Sequence, residues 1–290
     1  MRLARNSGIG LNLKSTISDL KLRPQQAQPA KWNAADYAAN SVVQQTWARE
    51  LIARLKLHGD EHIFDVGCGD GKITAEIAGA VPRGSATGID ASPQMIEFAR
   101  KTFPPGKNPN LEFRVMDARK IKFSRQFDFV FSNAALHWMD NHRAFLRGAA
   151  AVLRSGGRLI VSCGGKGNAQ DVFAALRPEM RLEHWRKFFR GMPKPYFFYS
   201  PADYEKWLPR ASFKTLNIQL APKDATYDGP DGFAAWVRTT WLPYTQRVPE
   251  ELREAFIAAV TDRYVAKHPP DIAGKIHVRM VRLEIDAIKI

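Results

Sequence analysis

The segment Asp65-Val66-Gly67-Cys68-Gly69-Asp70-Gly71 places three closely spaced glycines and two acids directly after the apolar pair Ile63-Phe64. A strand that runs into a glycine turn and then into a helix brings bare backbone N–H groups close to a ligand. Nineteen residues beyond Gly71, Asp90 ends a second apolar stretch. A βαβ unit offers a carboxylate there to the two hydroxyls of a ribose. The turn and Asp90 together predict a site for a nucleoside-containing cofactor.

The elements around this turn are predicted from hydrophobic periodicity, capping residues and glycines. The pattern predicts helices over Trp32–Leu57, Lys72–Gly79, Pro93–Thr102 and Asn141–Leu153. It predicts strands over Ile63–Val66, Ala86–Ile89, Leu111–Val115, Phe127–Ser132 and Arg158–Cys163. Such alternation is typical of an α/β fold whose parallel sheet is covered by helices on both faces.

Beyond Gly167 the alternation ends and aromatic residues become frequent. Helices are predicted over Gln170–Ala175, Arg181–Phe189, Ala202–Leu208 and, as one long stretch, Asp231–Tyr264. Strands are predicted over Phe213–Leu220 and Ile276–Ile290. We expect most of these aromatic side chains to form a core and a few to line a ligand pocket, because both use the same residue types.

Composition restricts the class of protein. The chain has 290 residues, 45% of them hydrophobic, and no apolar run approaches the roughly 20 residues of a membrane span, so we expect a soluble protein. Two cysteines, Cys68 and Cys163, indicate a reducing, cytoplasmic compartment and provide neither a disulfide framework nor metal-ligand spacing. The net charge of +14 is spread along the chain, which favours an acidic small-molecule substrate over nucleic acid.

The first 31 residues are basic. Arginines and lysines outnumber acids there, with Asp19 as the single carboxylate, and Gly8, Gly10 and Pro24 interrupt any long amphipathic helix. This composition predicts a flexible basic arm over residues 1–31, with an organelle presequence as the alternative.

Three features distinguish between nucleoside cofactors. The spacing Gly67-x-Gly69-x-Gly71 is tighter than the dinucleotide fingerprint, which keeps two residues between its second and third glycines. Asp117, after the third strand, is placed to accept from an exocyclic adenine amine, although a turn or cap role is the alternative. Small residues follow Asn133 at the end of the fourth strand, where a sulfonium centre needs room.

From Trp32 to Cys163 these residues resemble the class I S-adenosylmethionine-dependent methyltransferases. The resemblance implies a Rossmann-like fold with a mostly parallel seven-stranded sheet, helices on both faces and a helical cap. It implies one methyltransferase domain over residues 32–290, with cap insertions around 168–210 and 229–275. It also implies cofactor-binding roles for these residues: Asp65, Gly67, Cys68 and Gly69 at the methionine part, Asp90 and Ala91 at the ribose, Met95, Asp117 and Ala118 at adenine, and Asn133 under the reactive methyl.

A narrower resemblance is to the trans-aconitate methyltransferase group. It rests on Trp32-Asn33-x-x-x-Tyr37, Asn133-Ala134-x-x-x-Trp138, Trp236-Val237 and Arg282-Leu283. Two departures make aconitate itself a poor fit: Thr239-Thr240-Trp241-Leu242-Pro243 lacks an arginine before its proline, and Ser162-Cys163-Gly164-Gly165 differs. The segment Asn133-Ala134-Ala135-Leu136 also lacks the aromatic residue with which nucleobase methylases hold a flipped base.

The resemblance favours a carboxylate as the methyl acceptor. A carboxylic acid is already ionised at neutral pH, so hydrogen-bond donors that hold it are sufficient. The candidate donors are Trp138, Tyr37, Arg238 and Gln44 or its neighbour Gln45. Each of them has a structural alternative, such as packing for Trp138.

Two other functions remain open at this point. One is methylation of a carbon, nitrogen or oxygen on a small aromatic metabolite, for which His137 is the candidate base. The other is a catalytically silent protein that binds the cofactor.

Overall fold

The computed structural model describes residues 42–124 and 126–290, with side chains from residue 45 onward. The predicted basic arm, Tyr37 and the first part of the predicted helix from Trp32 lie outside these residues. The described part of that helix is α1, Val42–Ala53. The prediction that it continues to Leu57 is wrong, because Lys56 has a left-handed φ of 53° that a helix does not accommodate.

Strands and helices alternate along the first half of the chain as predicted. The helices are α2, Lys72–Ala80; α3, Pro93–Thr102; and α4, His142–Val152. The strands are β1, His62–Val66; β2, Ser85–Asp90; β3, Leu111–Val115; β4, Phe127–Asn133; and β5, Leu153–Gly164. The observed bounds differ from the predicted ones by a few residues at most element ends.

Six further α-helices and two strands lie C-terminal to Gly167. The helices are α5, Gln170–Arg181; α6, Glu183–Phe189; α7, Pro201–Trp207; α8, Gly229–Thr240; α9, Leu242–Thr245; and α10, Glu250–Val265. The remaining strands are β6, Phe213–Asp228, and β7, Lys275–Lys289. None of the helices in the described residues has the length and hydropathy of a membrane span.

The seven strands form one sheet in the order β3-β2-β1-β4-β5-β7-β6. The pairs β1–β2, β2–β3, β1–β4 and β4–β5 are parallel, and β5–β7 is antiparallel. Contacts between β6 and β7 run in opposite chain order, since Asp224 meets His277 whereas Ser212 meets Ile290, so this pair is also antiparallel. The predicted mostly parallel seven-stranded sheet is therefore confirmed.

Both faces of the sheet are buried. Successive residues of a strand point to opposite faces, and in β1 Phe64 and Val66 join one apolar cluster while Ile63 joins the other. Phe127 of β4 stacks on Phe64 at 4.9 Å between ring centroids. A sheet covered in this way leaves its strand ends as the places where a ligand can bind.

The described chain divides into two compact units. The sheet unit comprises residues 42–124, 126–170, 194–226 and 277–290, and the helical unit comprises residues 171–193 and 227–276. Residues 194–210, which we predicted as part of the cap, group with the sheet. The predicted cap boundaries themselves stay a prediction.

The helical unit has its own aromatic core. Trp185 packs edge-on against Phe256 at 5.2 Å between centroids, and Phe233 stacks on Tyr264 at 4.5 Å. The prediction of one helical stretch over Asp231–Tyr264 is wrong, because three separate helices cover it. Pro249 lies at the start of the last of them, where its missing N–H breaks no intrahelical hydrogen bond.

The start of α2 provides a test of the fold. Gly71 has a φ of 82°, and a Cβ there would lie 2.7 Å from the Phe113 ring and 2.8 Å from Ala99 Cβ. We expect Gly71→Ala to lower the free energy of unfolding by at least about 2 kcal/mol, through strain and overpacking. The matched control is Gly79→Ala in the same helix, where a Cβ meets nothing within 4 Å. That substitution is expected to stabilise by about 0.5–1 kcal/mol. Denaturant titration of both variants measures the difference, and equal effects would contradict the packing argument.

Candidate active site

The predicted glycine turn links β1 to α2 at the carboxyl end of the sheet. Gly67, Gly69 and Gly71 all have positive φ angles, of 80°, 54° and 82°. The backbone N–H groups of Gly67 and Cys68 both donate to the carbonyl oxygen of Ile89, at 2.7 and 2.9 Å. These bonds fasten the turn to the end of β2 and hold its backbone in one conformation.

Close packing also requires glycine in this turn. A Cβ at Gly67 would lie 2.1 Å from Ala135 Cβ, in the segment after β4. The space at Gly71 is filled by Phe113 and Ala99. Glycine is therefore required at these two positions for packing, in addition to the predicted ligand contacts.

Asp90 lies next to the turn with a partly buried carboxylate. One oxygen accepts from the Gly69 N–H at 3.1 Å and the other from the Ser92 N–H at 2.8 Å. Burial raises the pKa of Asp90, and these two hydrogen bonds offset part of that rise. A carboxylate has about four acceptor positions, so two N–H donors leave it able to accept from the two hydroxyls of a ribose. The predicted ribose role fits this geometry.

Asp65 is a second carboxylate in the turn, and it is buried. Its Oδ2 accepts from the Thr74 hydroxyl at 2.6 Å. Burial raises the pKa of Asp65 to about 7, against the Thr74 hydrogen bond, and the nearby negative charge of Asp90 adds to the rise. Two carboxylates with raised pKa values form an environment that a positively charged ligand group would stabilise.

The residues predicted to contact adenine lie after β2 and β3. Met95 is buried in α3, and Ala91 is exposed just before this helix. Asp117 and Ala118 begin a short 3-10 turn after β3. The carboxylate of Asp117 accepts a forked pair of bonds from Arg119, which lowers the pKa of Asp117. An adenine amine would therefore share this carboxylate with Arg119.

Asn133 ends β4 and is held by Arg282, a buried residue of β7. The Arg282 guanidinium donates to Asn133 Oδ1 at 3.2 Å, and to the carbonyl and hydroxyl oxygens of Ser162 at 2.6 and 3.1 Å. It also lies over the Trp47 ring, 5.4 Å from the centroid. The next residue, Ala134, has a left-handed φ of 56°. Strain of this kind is common at functional sites, where the surroundings hold an unfavourable conformation.

His137 lies four residues beyond Asn133 and accepts a hydrogen bond from the backbone. The Gly164 N–H donates to His137 Nδ1 at 3.2 Å. A neutral ring that accepts at Nδ1 carries its proton on Nε2. Burial lowers the pKa of His137 to about 3, and the positive charge of Arg282 contributes. His137 is therefore a neutral hydrogen-bond donor at neutral pH.

Four rings form what we term the aromatic shelf, made of His137, Trp138, Tyr196 and Phe198. Tyr196 and Phe198 stack at 5.7 Å between centroids with an interplanar angle of 10°. Trp138 meets Tyr196 edge-on at 4.9 Å, and His137 lies 5.9 Å from Phe198. Trp138, the predicted donor, is half-buried. The shelf lies in the sheet unit, at the carboxyl ends of β4 and β5.

The other predicted donors are not placed at this edge by the described residues. Tyr37 lies outside them, and so does the side chain of Gln44, whose backbone belongs to α1. Arg238 lies in the helical unit, where its guanidinium pairs with both carboxylate oxygens of Glu254 and lowers the pKa of that acid. Substrate roles for Tyr37, Gln44 and Arg238 stay predictions.

The sequence interpretation missed several residues that the structure gathers at the end of β4. They are Ser162, Gly164, Tyr196, Phe198 and Arg282. Arg282 carried one signal: it is a cation among apolar residues of a strand, where burial requires hydrogen-bond partners. The shelf carried no comparable signal, because Tyr196 and Phe198 resemble core residues.

Comparison with known proteins identifies the family of this chain. The profile described as a methyltransferase domain matches residues 63–157. An uncharacterized methyltransferase of Schizosaccharomyces pombe is 34% identical over 197 residues, which are 65% of this chain and 72% of that protein. A trans-aconitate 2-methyltransferase of Agrobacterium fabrum is 29% identical over 265 residues, which are 89% of this chain and 99% of that protein.

The chain belongs to the class I S-adenosylmethionine-dependent methyltransferases. A solved structure shares its fold: the phosphoethanolamine N-methyltransferase 2 of Haemonchus contortus in complex with S-adenosyl-L-methionine. The TM-score is 0.57 at 14% identity, over 88% of this chain and 56% of that chain. As a member of this family the protein uses S-adenosylmethionine, and the raised pKa values of Asp65 and Asp90 fit a positively charged cofactor.

The ribose assignment is testable with Asp90→Asn. The variant keeps the shape of the side chain but loses its charge and half of its acceptor capacity. We expect the Kd for S-adenosylmethionine to rise ~10–100-fold, the range for hydrogen bonds to a charged group. Calorimetry measures the Kd for the cofactor and for its demethylated product, and Asp60→Asn serves as a surface control. Unchanged affinity in Asp90→Asn would show that the ribose lies elsewhere.

The buried Asp65 predicts a pH dependence of stability in the cofactor-free protein. Its pKa is about 7 in the folded state and about 4 in the unfolded state. The folded protein therefore holds a proton that the unfolded chain has lost, and this contribution to stability disappears as pH rises through that window. We expect Tm to fall more steeply between about pH 5 and about pH 8 in the wild type than in Asp65→Asn. Circular dichroism melts at intermediate pH values measure the two curves, and parallel curves would refute the raised pKa.

Proposed function

We propose that this methyltransferase transfers the methyl group to a carboxylate oxygen of a small or lipophilic organic acid. The observation that carries the proposal is the hydrogen bond that the buried end of β5 donates to His137 Nδ1. Its Nδ1 accepts the Gly164 N–H and its pKa is lowered to about 3, so the ring donates through Nε2 and is not a base. A carboxylic acid with a pKa of about 4 needs no base at neutral pH.

The charge at the end of β4 supports the same class of acceptor. The Arg282 guanidinium is buried, bonded to Asn133 and close enough to His137 to lower the pKa of that ring. A buried positive charge stabilises an anion at this edge more than a neutral or cationic acceptor. The relatives named trans-aconitate 2-methyltransferase are named for an acid substrate.

The reaction requires alignment more than proton transfer. When bound, S-adenosylmethionine supplies an electrophilic methyl group on a sulfonium. The carboxylate oxygen would take this methyl group, the electron pair of the broken C–S bond would remain on sulfur as a neutral thioether, and the product would be a methyl ester. Asn133, His137 Nε2–H and the Trp138 indole N–H hold the carboxylate. Orientation in a water-poor site contributes roughly 7–11 kcal/mol to such a step.

The alternative of a small aromatic metabolite, deprotonated by His137, receives less support. His137 would have to lose its hydrogen bond with Gly164 and gain a basic ring nitrogen in a buried position near the positive charge of Arg282.

The reducing, cytoplasmic compartment remains part of our proposal, and two free buried cysteines, Cys68 and Cys163, support it.

A pH profile tests the proposal. With saturating cofactor and acid, we expect the rate of methyl-ester formation to stay within about two-fold between about pH 6 and about pH 9, because acceptor and His137 keep their charge states. Mass spectrometry of the ester, confirmed by its hydrolysis in base, measures the rate. A rate of ester formation that rises about ten-fold per pH unit would contradict a reaction that needs no base, and the absence of ester from every acid would contradict carboxylate methylation.

A further inference from the structure

We propose that the aromatic shelf binds the apolar part of the acceptor, so that the preferred acceptor is a monocarboxylic acid with an aryl or long alkyl group rather than a polycarboxylate. The inference rests on the proposed carboxylate methylation and specifies its substrate class. It follows from the position of the shelf, the orientation of its rings and the charge beside it.

The shelf adjoins the place where the methyl group is transferred. Gly164 ends β5, and a Cβ there would lie 2.7 Å from the Phe198 ring, so this ring covers the end of the strand. The Phe197 N–H donates to the His137 carbonyl at 2.9 Å, which fastens the chain from Tyr196 to Phe198 over the turn after β4. Asn133 begins that same turn. A ligand at the carboxyl ends of β4 and β5 therefore has Asn133 on one side and the shelf on the other.

The rings present apolar area at this edge. Tyr196 is buried beneath its neighbours, whereas Trp138 and Phe198 are half-buried and retain accessible ring surface. Stacked and edge-on contacts fix these rings relative to one another. Rigid aromatic surfaces of this type contribute to binding mainly by burying apolar ligand area at a small entropic cost.

The number of negative charges distinguishes a monocarboxylic acid from a polycarboxylate as a ligand of the shelf. The faces of aromatic rings carry negative electrostatic potential, so a second and third carboxylate placed against the shelf would be repelled. A monocarboxylic acid avoids this cost, because its single charge lies toward Asn133 and Arg282 while its apolar group lies on the rings. The site is therefore suited to an amphipathic acid.

The test compares two neighbouring phenylalanines. Phe198→Leu removes a shelf ring, and Phe197→Leu is the matched control because the Phe197 ring contacts Lys194 instead. With cinnamate and decanoate as acceptors, we expect Phe198→Leu to raise KM ~10-fold and leave KM for S-adenosylmethionine within about two-fold. Phe197→Leu is expected to change neither value by more than about two-fold. Calorimetric Kd values for cinnamate, measured with S-adenosylhomocysteine present, provide a readout independent of turnover.

The outcomes separate this inference from the proposed function. If the wild type esterifies trans-aconitate or tricarballylate with a higher kcat/KM than cinnamate and decanoate, the shelf inference is wrong and carboxylate methylation stands. If no acid forms an ester, the proposed function fails, and the shelf inference fails with it unless cinnamate still binds and Phe198→Leu weakens that binding. Should Phe198→Leu lower Tm markedly, Phe198→Met keeps more of the side-chain volume and is expected to raise KM for both acceptors in the same way, whereas an unchanged KM would contradict the inference.

Discussion

The buried guanidinium of Arg282 is the interaction on which the organisation of the site depends. Removing a charge from water costs several kcal/mol unless hydrogen bonds replace the lost hydration. Here two oxygens of Ser162, the amide oxygen of Asn133 and the ring of Trp47 surround the cation. These partners lie on β5, β4 and α1, so a single side chain of β7 joins three other elements. The end of β4 is therefore held by the antiparallel terminal strand, in which Arg282 lies opposite Gly164 of β5.

The acids around the turn divide the cofactor site into two electrostatic regions. Asp65 is buried and Asp90 is partly buried, and their pKa values are raised because burial disfavours the charged form. Asp117 is more exposed and paired with Arg119, and its pKa is lowered. On the predicted placement of the cofactor, its sulfonium would stabilise the charged form of these two carboxylates, whereas Asp117 is already paired with Arg119. Binding such a cofactor would therefore offset part of the free-energy cost of removing these carboxylates from water.

Local patterns predicted most of the fold and the glycine turn that we propose for the cofactor. The glycine turn, the proline start of α3 and the strand lengths depend on residues close together in sequence, and Ser92 caps α3 as its position indicates. The acceptor side depends on contacts that no local pattern encodes. Arg282 and Asn133 are separated by 149 residues, and His137 and Gly164 by 27. The breaks between α8, α9 and α10 were also missed, since an apolar helical period continues through them while tertiary packing decides where each helix ends.

The neutral state of His137 has an energetic consequence for the choice of acceptor. A phenol with a pKa of about 10 is ionised to about one part in a thousand at pH 7, and forming its anion costs about 4 kcal/mol before any methyl transfer. An enzyme for such an acceptor recovers that cost with a base whose pKa lies near the working pH. A ring with a pKa of about 3 does not provide this help, and Arg282 disfavours its protonation further. A carboxylic acid that binds already ionised avoids the cost of deprotonation. The carboxyl ends of β4 and β5 then have to provide only hydrogen-bond donors, a surface that excludes water and the alignment of the acceptor. On our proposal, His137, held by Gly164 and tilted against Phe198, would contribute to all three without changing its protonation state.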